Sequence, residues 1–272
     1  MPASLENFGF GKIWTELSID RYEGYLPRMS DYHAHEYYEI SLILSGDMKI
    51  LLPDTVYRGE DNCLLLTGPM TPHLVISSPT KLYKRINLLF SGSFLAEYVP
   101  EWKQLLSVFG KKGRVLPLDA AHCKRFYALI ENIEADGDTF RRRLLLMLLL
   151  SEMCNLSAVG EQGSEALPPY VSAALAHVQE HYAERLVAAE LALSLGVGRT
   201  TLMTVFKHYT GTTLNDYVTD VRLKRAVALL REGATEQAAA EACGLGDACN
   251  LIRCFRRRFG QTPKKYLLEK RL

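Results

Sequence analysis

Two different periodicities divide this chain. Over residues 13–90, short runs rich in Tyr, Ile, Leu, Val and Thr are interrupted by Gly46, Pro53-Asp54, Gly59, Gly68-Pro69, Pro72 and Pro79. Short strands with frequent turns predict a β-sandwich or barrel. Within that stretch Glu39, Ser41 and Ser45 alternate with Ile40, Leu42 and Leu44. That alternation suits a strand that lines a polar cavity with one face and packs against another layer with the other. The pattern then turns helical over residues 122–135 and 139–158. The second of these helices carries seven consecutive apolar residues, 144–150, directly after Arg141, Arg142 and Arg143. The run is too short to span a bilayer. Apolar on all sides, it predicts a helix held between two layers, the β-domain and a partner subunit. Residues 159–169, VGEQGSEALPP, are polar, contain two glycines and end in two prolines. They predict a linker, flexible first and stiffer at its end.

Beyond the linker the sequence repeats itself. An offset of 49 residues carries Leu202 to Leu251, Phe206 to Phe255, Gly211 to Gly260, Thr213 to Thr262, Tyr217 to Tyr266 and Arg222 to Arg271. Before Leu202 the offset is one shorter, matching Ala192, Gly196 and Gly198 to Ala240, Gly244 and Gly246. Each copy predicts helix, tight turn, helix: 187–194 then 199–209, and 236–242 then 247–259. Helical spacing turns Leu202, Val205, Phe206 and Tyr209 inward and leaves Arg199, Thr200, Met203, Thr204 and Lys207 available. In the second copy Leu251, Phe255 and Phe259 point inward, and Asn250, Arg253, Arg256, Arg257 and Arg258 outward.

Those outward residues suit DNA. A helix fits the major groove, where Asn reads adenine and Arg reads guanine bidentately, while other cationic side chains contact phosphates. A basic helix face is often merely solvated, but duplication of the whole unit argues for two reading helices. Between the copies, a helix capped by Thr212 or Thr213 and stopped by Gly233 is expected, about 17 residues and roughly 25 Å long. Such a spacer suits reading helices about one DNA turn, near 34 Å, apart. Thr262-Pro263 predicts the start of a last helix.

Residues 170–272 resemble the DNA-binding domain of the AraC-type bacterial transcription regulators. The segments FKHYTGTTLNDYV with RLKRAVALL, and AAAEACGLGDACNLIRCFRRRFGQTPKKY, carry the likeness. The resemblance implies a seven-helix domain with helix-turn-helix units at about 186–210 and 235–259. It implies base-edge roles for Thr200, Met203 and Thr204, and for Cys249, Asn250 and Arg253. Gly198 and Gly246 stand where the family usually has a capping Ser, a small loss. Leu245 and Leu251 replace usual aromatics, which predicts a smaller second core.

A second motif lies in the β-rich half. His33-x-His35, then Glu39 and Gly46, has the spacing of the first cupin motif, and His73 stands where the histidine of the second would be. This resembles the ligand-binding barrels that precede the DNA domain in many AraC-type proteins. Three imidazoles and a carboxylate also suit iron, manganese, nickel or zinc. Because such regulators commonly keep parts of the motif without metal, the resemblance favours contact with a polar ligand. A metal site and a hydrogen-bonded structural cluster remain the alternatives, and no cofactor is expected. Trp14, Tyr22, Tyr25 and Tyr37 are candidates to stack on a sugar ring or to pack in the core.

Composition and charge fit this division. At 272 residues, 48% of them hydrophobic, the chain has material for two cores. From Tyr170 onward 15 Lys and Arg face 10 Asp and Glu, against 17 and 21 before it, so the halves differ in sign. Residues 1–14 lack a charged start with an apolar core, and no run is long enough to span a bilayer, so a cytoplasmic location is expected. Cys63, Cys123, Cys154, Cys243, Cys249 and Cys254 form no CxxC pair and are expected to be thiols, used as small apolar residues.

The resulting expectation is a non-enzymatic regulator with two domains: an N-terminal all-β cupin-like barrel with dimerising helices, and a C-terminal all-α double helix-turn-helix domain. The barrel would span residues 1–118, the helical segment 119–158, the linker 159–169 and the DNA-binding domain 170–272. Its DNA contacts would be Arg199, Thr200, Met203, Thr204, Lys207, Cys249, Asn250, Arg253, Arg256 and Arg257. His33, His35, Glu39 and His73 would bind an effector, with a carbohydrate as one candidate. The implied partners are double-stranded DNA, a small-molecule effector, RNA polymerase and a second copy of the chain, with no membrane. The alternatives are a metal-dependent cupin-type enzyme with an accessory DNA-binding domain and a ligand-independent DNA-binding protein.

Overall fold

Alternating strands in the first half pair into two antiparallel sheets in the computed structural model, which describes residues 16–24, 32–78, 80–96, 102–156 and 164–269. The strands are β1 (Leu17–Gly24), β2 (Tyr38–Ser45), β3 (Met48–Leu51), β4 (Thr55–Gly59), β5 (Cys63–Thr67), β6 (Leu74–Ser77), β7 (Tyr83–Phe90), β8 (Arg114–Pro117) and β9 (Ser164–Ala166). A five-stranded sheet runs β1-β7-β2-β5-β8 and a four-stranded sheet β6-β3-β4-β9. Among the described residues the strands therefore form two sheets rather than the closed barrel expected. His33 and His73 bridge as an isolated pair outside the named strands.

Period-two alternation explains the layering. Ile40, Leu42, Leu64, Leu66, Ile86, Leu88 and Phe90 form one apolar face of the large sheet. They pack with Phe126, Ile130 and Ile133 of α3 (Ala120–Ala135) and with Leu146, Leu149, Leu150 and Met153 of α4 (Thr139–Leu156). Two one-turn helices, α1 (Ser93–Ala96) and α2 (Trp102–Leu105), precede them. The opposite face contributes Ile43, Leu65 and Tyr83 to a second core with Met48, Ile50 and Tyr57 of the small sheet. The large sheet is thus the middle of three layers. Helix α4 is not enclosed on every side: Phe140, Leu144 and Leu148 are about half exposed.

The predicted linker differs in the structure. Residues 164–166 pair with β4, Leu167 donates its N–H to Asp54 O at 2.8 Å, and Leu167 is buried. Without this strand, β4 would present an unpaired edge. Proline ends the pairing, because it has no N–H to give. The chain divides into two compact units between Leu167 and Pro168, and Pro169 already opens α5 (Pro169–His181). The first part of the expected linker, residues 159–163, lies outside the described residues.

The second unit contains seven helices among the described residues. After α5 come α6 (Ala188–Ser194), α7 (Arg199–Thr210), α8 (Leu214–Arg231), α9 (Glu236–Ala242), α10 (Ala248–Phe259) and α11 (Pro263–Glu269). The repeated residues account for the repeated shape. Leu202 and Phe206 are buried on α7, as Leu251 and Phe255 are on α10. Gly211 and Gly260 end the two helices with φ of 69° and 72°, a left-handed cap that glycine adopts without strain. Phe206 meets Tyr217 edge-on at 5.7 Å, and Phe255 meets Tyr266 at 5.3 Å. Helix α8 is capped by Thr213, whose side chain accepts from Asp216 N, and its 18 residues make it about 27 Å long.

Candidate nucleic-acid interface and sensor site

The helical stripe that buries α7 decides what it shows to solvent. With Leu202, Phe206 and Tyr209 inward, Arg199, Thr200, Thr204 and Lys207 are exposed and Met203 is half-buried. On α10, Cys249, Arg253, Arg256 and Arg257 are exposed. No acidic side chain lies in the first turn of α7 or α10, and basic residues fill both last turns.

Three details on α10 depart from the sequence reading. Its cap is Asp247, whose carboxylate accepts from Asn250 N at 2.7 Å, whereas Gly246 belongs to the preceding turn with φ of 85°. Asn250 faces its own turn: its Nδ2 donates to Leu245 O at 2.6 Å and its Oδ1 accepts from Arg253 at 2.9 Å. Arg258 does not join the outward basic face but pairs with the buried Asp220 of α8. Arg222, one of the repeated residues, also works internally, donating to Tyr182 O and Glu184 O, both at 2.7 Å. Its echo Arg271 lies outside the described residues.

In the first unit the structure brings all four sensor candidates together. The donor atoms of His33, His35, Glu39 and His73 lie within 4.8 Å of one another. Only Glu39 lies on a strand, where its period-two position turns it to the face shared with Ser41 and Ile43. Glu39 Oε2 is 2.8 Å from His35 Nε2 and 3.4 Å from His73 Nε2. Its Oε1 accepts from Asn87 Nδ2 at 2.6 Å and lies 2.8 Å from Ser41 Oγ. Burial alone would raise the carboxyl's pKa, but its contacts with His35 and His73 hold it well below the ordinary value. His73 shows the converse: burial opposes its charge, and Glu39 nevertheless raises its pKa.

Supporting residues were not singled out from sequence. Asn87 stands between Ile86 and Leu88 in β7 directly opposite Ser41, a polar position in an apolar strand. Thr67 is the cross-strand neighbour of Glu39 and fully buried. Farther along this face Arg85 pairs with Asp20 at 3.6 Å. Of the stacking candidates, Tyr22 packs against the inter-sheet core, 6.1 Å from Tyr83. Tyr37 lies 6.4 Å from His35, while Trp14 and Tyr25 lie outside the described residues. Among the cysteines Cys63 and Cys243 are buried, with thiol pKa values pushed up to about 12 and about 11 by desolvation. Cys249 is exposed on α10, as its expected contact with DNA requires and unlike the small apolar use expected of the cysteines in general.

Comparison with known proteins agrees with this layout. Residues 16–150 match the family described as the AraC-like ligand binding domain, and residues 191–269 match a helix-turn-helix domain family. The chain is 27% identical over 242 residues to an uncharacterized HTH-type transcriptional regulator, YbfI, of Bacillus subtilis strain 168, covering 85% of this chain and 84% of that one. It is 29% identical over 243 residues to the HTH-type transcriptional activator RhaS of Citrobacter koseri, covering 85% of each. Among solved structures, ToxT of Vibrio cholerae strain SCE256 with a bound unsaturated fatty acid aligns over 93% of this chain and 95% of that one, at 13% identity and a TM-score of 0.44.

Proposed function

Because the chain belongs to the AraC-type family of transcription regulators, joining an AraC-like ligand-binding domain to a helix-turn-helix DNA-binding domain, we propose that it is a sequence-specific activator that responds to a small polar effector. The observation that carries this reading is the duplicated unit, with two buried apolar stripes leaving two basic helix faces exposed. Arg199, Thr200, Met203 and Thr204 on α7, and Cys249 and Arg253 on α10, are the base-facing set. Lys207, Arg256 and Arg257 contact phosphate. Asn250 braces the turn before α10 and reads a base only if it releases Leu245. The name of the Citrobacter relative supports activation over repression, and RNA polymerase is the partner that activation would require.

The effector is assigned to the cluster of His33, His35, Glu39 and His73, whose polar atoms converge on one sheet face. Carbohydrates are the first class to test. The exposed Phe140, Leu144 and Leu148 of α4 supply the surface for a second copy. Among the described residues no helix is long and apolar enough to cross a membrane.

Binding to operator fragments selected from the source genome tests the proposal. Affinity should fall steeply with salt, because each neutralised phosphate releases a counterion. Equal affinity for selected and scrambled fragments at every salt concentration would reject sequence-specific regulation.

A further inference from the structure

The sensor cluster contains an electrostatic mismatch in its hydrogen bonding. His35 Nδ1 lies 3.1 Å from Tyr37 O, and His73 Nδ1 lies 3.0 Å from Thr71 O. A carbonyl oxygen only accepts, so each Nδ1 carries the proton, and in the neutral ring each Nε2 is then a bare lone pair. Both Nε2 atoms face the same carboxylate oxygen, Glu39 Oε2. An ionised carboxylate also only accepts. Lone pairs therefore face lone pairs in a buried space, an arrangement that requires a cation among them.

From this geometry we propose that His33, His35, His73 and Glu39 bind one divalent first-row transition-metal ion. Protons are the competing cations, and the elemental analysis below separates them from a bound ion; the rings of His35 and His73 lie 5.4 Å apart, centroid to centroid. A single ion uses every inward lone pair. Three neutral imidazoles and a carboxylate suit zinc, iron, manganese, cobalt or nickel. Nitrogen and oxygen ligands at about 2.0–2.2 Å from an ion lie within about 4.4 Å of each other, so small side-chain shifts close the observed set. The surroundings fit as well. Backbone carbonyls fix the outer nitrogens of His35 and His73, and Asn87 Nδ2 holds Glu39 Oε1 so that Oε2 points inward. Thr67 Oγ1, buried beside Glu39, has no hydrogen-bond partner among the described residues. It is suitably placed to receive a bond from a water or effector oxygen on the ion.

This inference concerns the residues given above to the effector, yet it stands on the cluster's geometry and not on the regulator reading. The test is equilibrium dialysis of the full-length protein, purified without chelator, against Zn²⁺, Co²⁺, Ni²⁺, Fe²⁺ (anaerobically) and Mn²⁺ in turn, followed by elemental analysis and visible spectroscopy of the Co²⁺ form. We expect about one ion per chain for at least one metal, and ligand-field bands with Co²⁺. Glu39→Gln and His35→Ala should each weaken metal binding at least tenfold while circular dichroism and urea denaturation show the fold intact. Fewer than about 0.1 ion per chain with every metal, or unchanged binding in both variants, would overturn the proposal. Operator binding by the same preparations is read separately, so failure of the metal leaves the regulator reading intact.

Discussion

Individual side chains on α10 divide between those proposed to read DNA and those that brace the fold, and substitutions separate the two. Arg253 is exposed, and its guanidinium donates to Asn250 Oδ1 at 2.9 Å. Arg253→Ala should cost roughly 1–3 kcal/mol of operator affinity and relax selectivity at one base pair. A panel of single-base operator variants checks this, and unchanged selectivity would remove the assignment. Arg257→Ala should instead weaken all sequences alike and lower the salt slope by about one. Arg258→Ala should act on folding, because it removes a cationic partner from the buried Asp220 carboxylate. Urea denaturation should register a loss of about 1–3 kcal/mol. Glycines at equivalent positions also differ. Gly196 and Gly244 both have positive φ, but a Cβ at Gly244 would sit 2.3 Å from Ala183 O while one at Gly196 meets nothing. Gly244→Ala should therefore destabilise clearly more than Gly196→Ala in the same denaturation assay. The helix face that holds Arg253 and Arg258 was legible from sequence. That one points outward and the other is clamped to Asp220 was not, because the partner comes from a helix 38 residues earlier.

At the scale of elements, periodicity was informative where burial is one-sided. Helices α7, α8 and α10 follow from it because each places one apolar stripe against a core. Strand β2 is instead buried on both faces, and its alternation marks only the polar Glu39 and Ser41 against Ile40 and Leu42. Helix α4 is apolar all round, so its sequence could not say which side the sheet covers. The structure buries Leu146, Leu149, Leu150 and Met153 and leaves Phe140, Leu144 and Leu148 in a row four residues apart. Exposed apolar stripes of this kind mark association surfaces. Leu144→Asp with Leu148→Asp should convert a dimer to monomers in sedimentation equilibrium without unfolding the chain, and an unaltered mass would refute this surface. Strand β9 was hidden for a different reason. Ser164-Glu165-Ala166 has no strand propensity of its own and pairs only because β4 offers an edge. The histidine motif announced four candidate residues, but the carbonyls that set their tautomers belong to Tyr37 and Thr71, which no side-chain pattern identifies.

For the whole molecule, the proposed effector response would have to cross the junction at Pro168, where β9 and Leu167 are tied to the small sheet and α5 begins at once. Ligand switches the protein only by binding one arrangement of the DNA-binding units more tightly than another. A carbohydrate that occupies the sensor at about 100 times its dissociation constant should stabilise the full chain by about 2.7 kcal/mol, a shift that a thermal-denaturation panel would detect. The proposed function requires two helices of one chain, α7 and α10, to read adjacent turns of DNA. Footprinting of the purified full-length protein on genomic fragments selected by binding tests it most directly. Paired protected segments about one helical turn, near 34 Å, apart are predicted, with protection weakened in one of the two when Arg253 is replaced. A single protected segment, or no selective protection at low salt with any candidate effector, would contradict it.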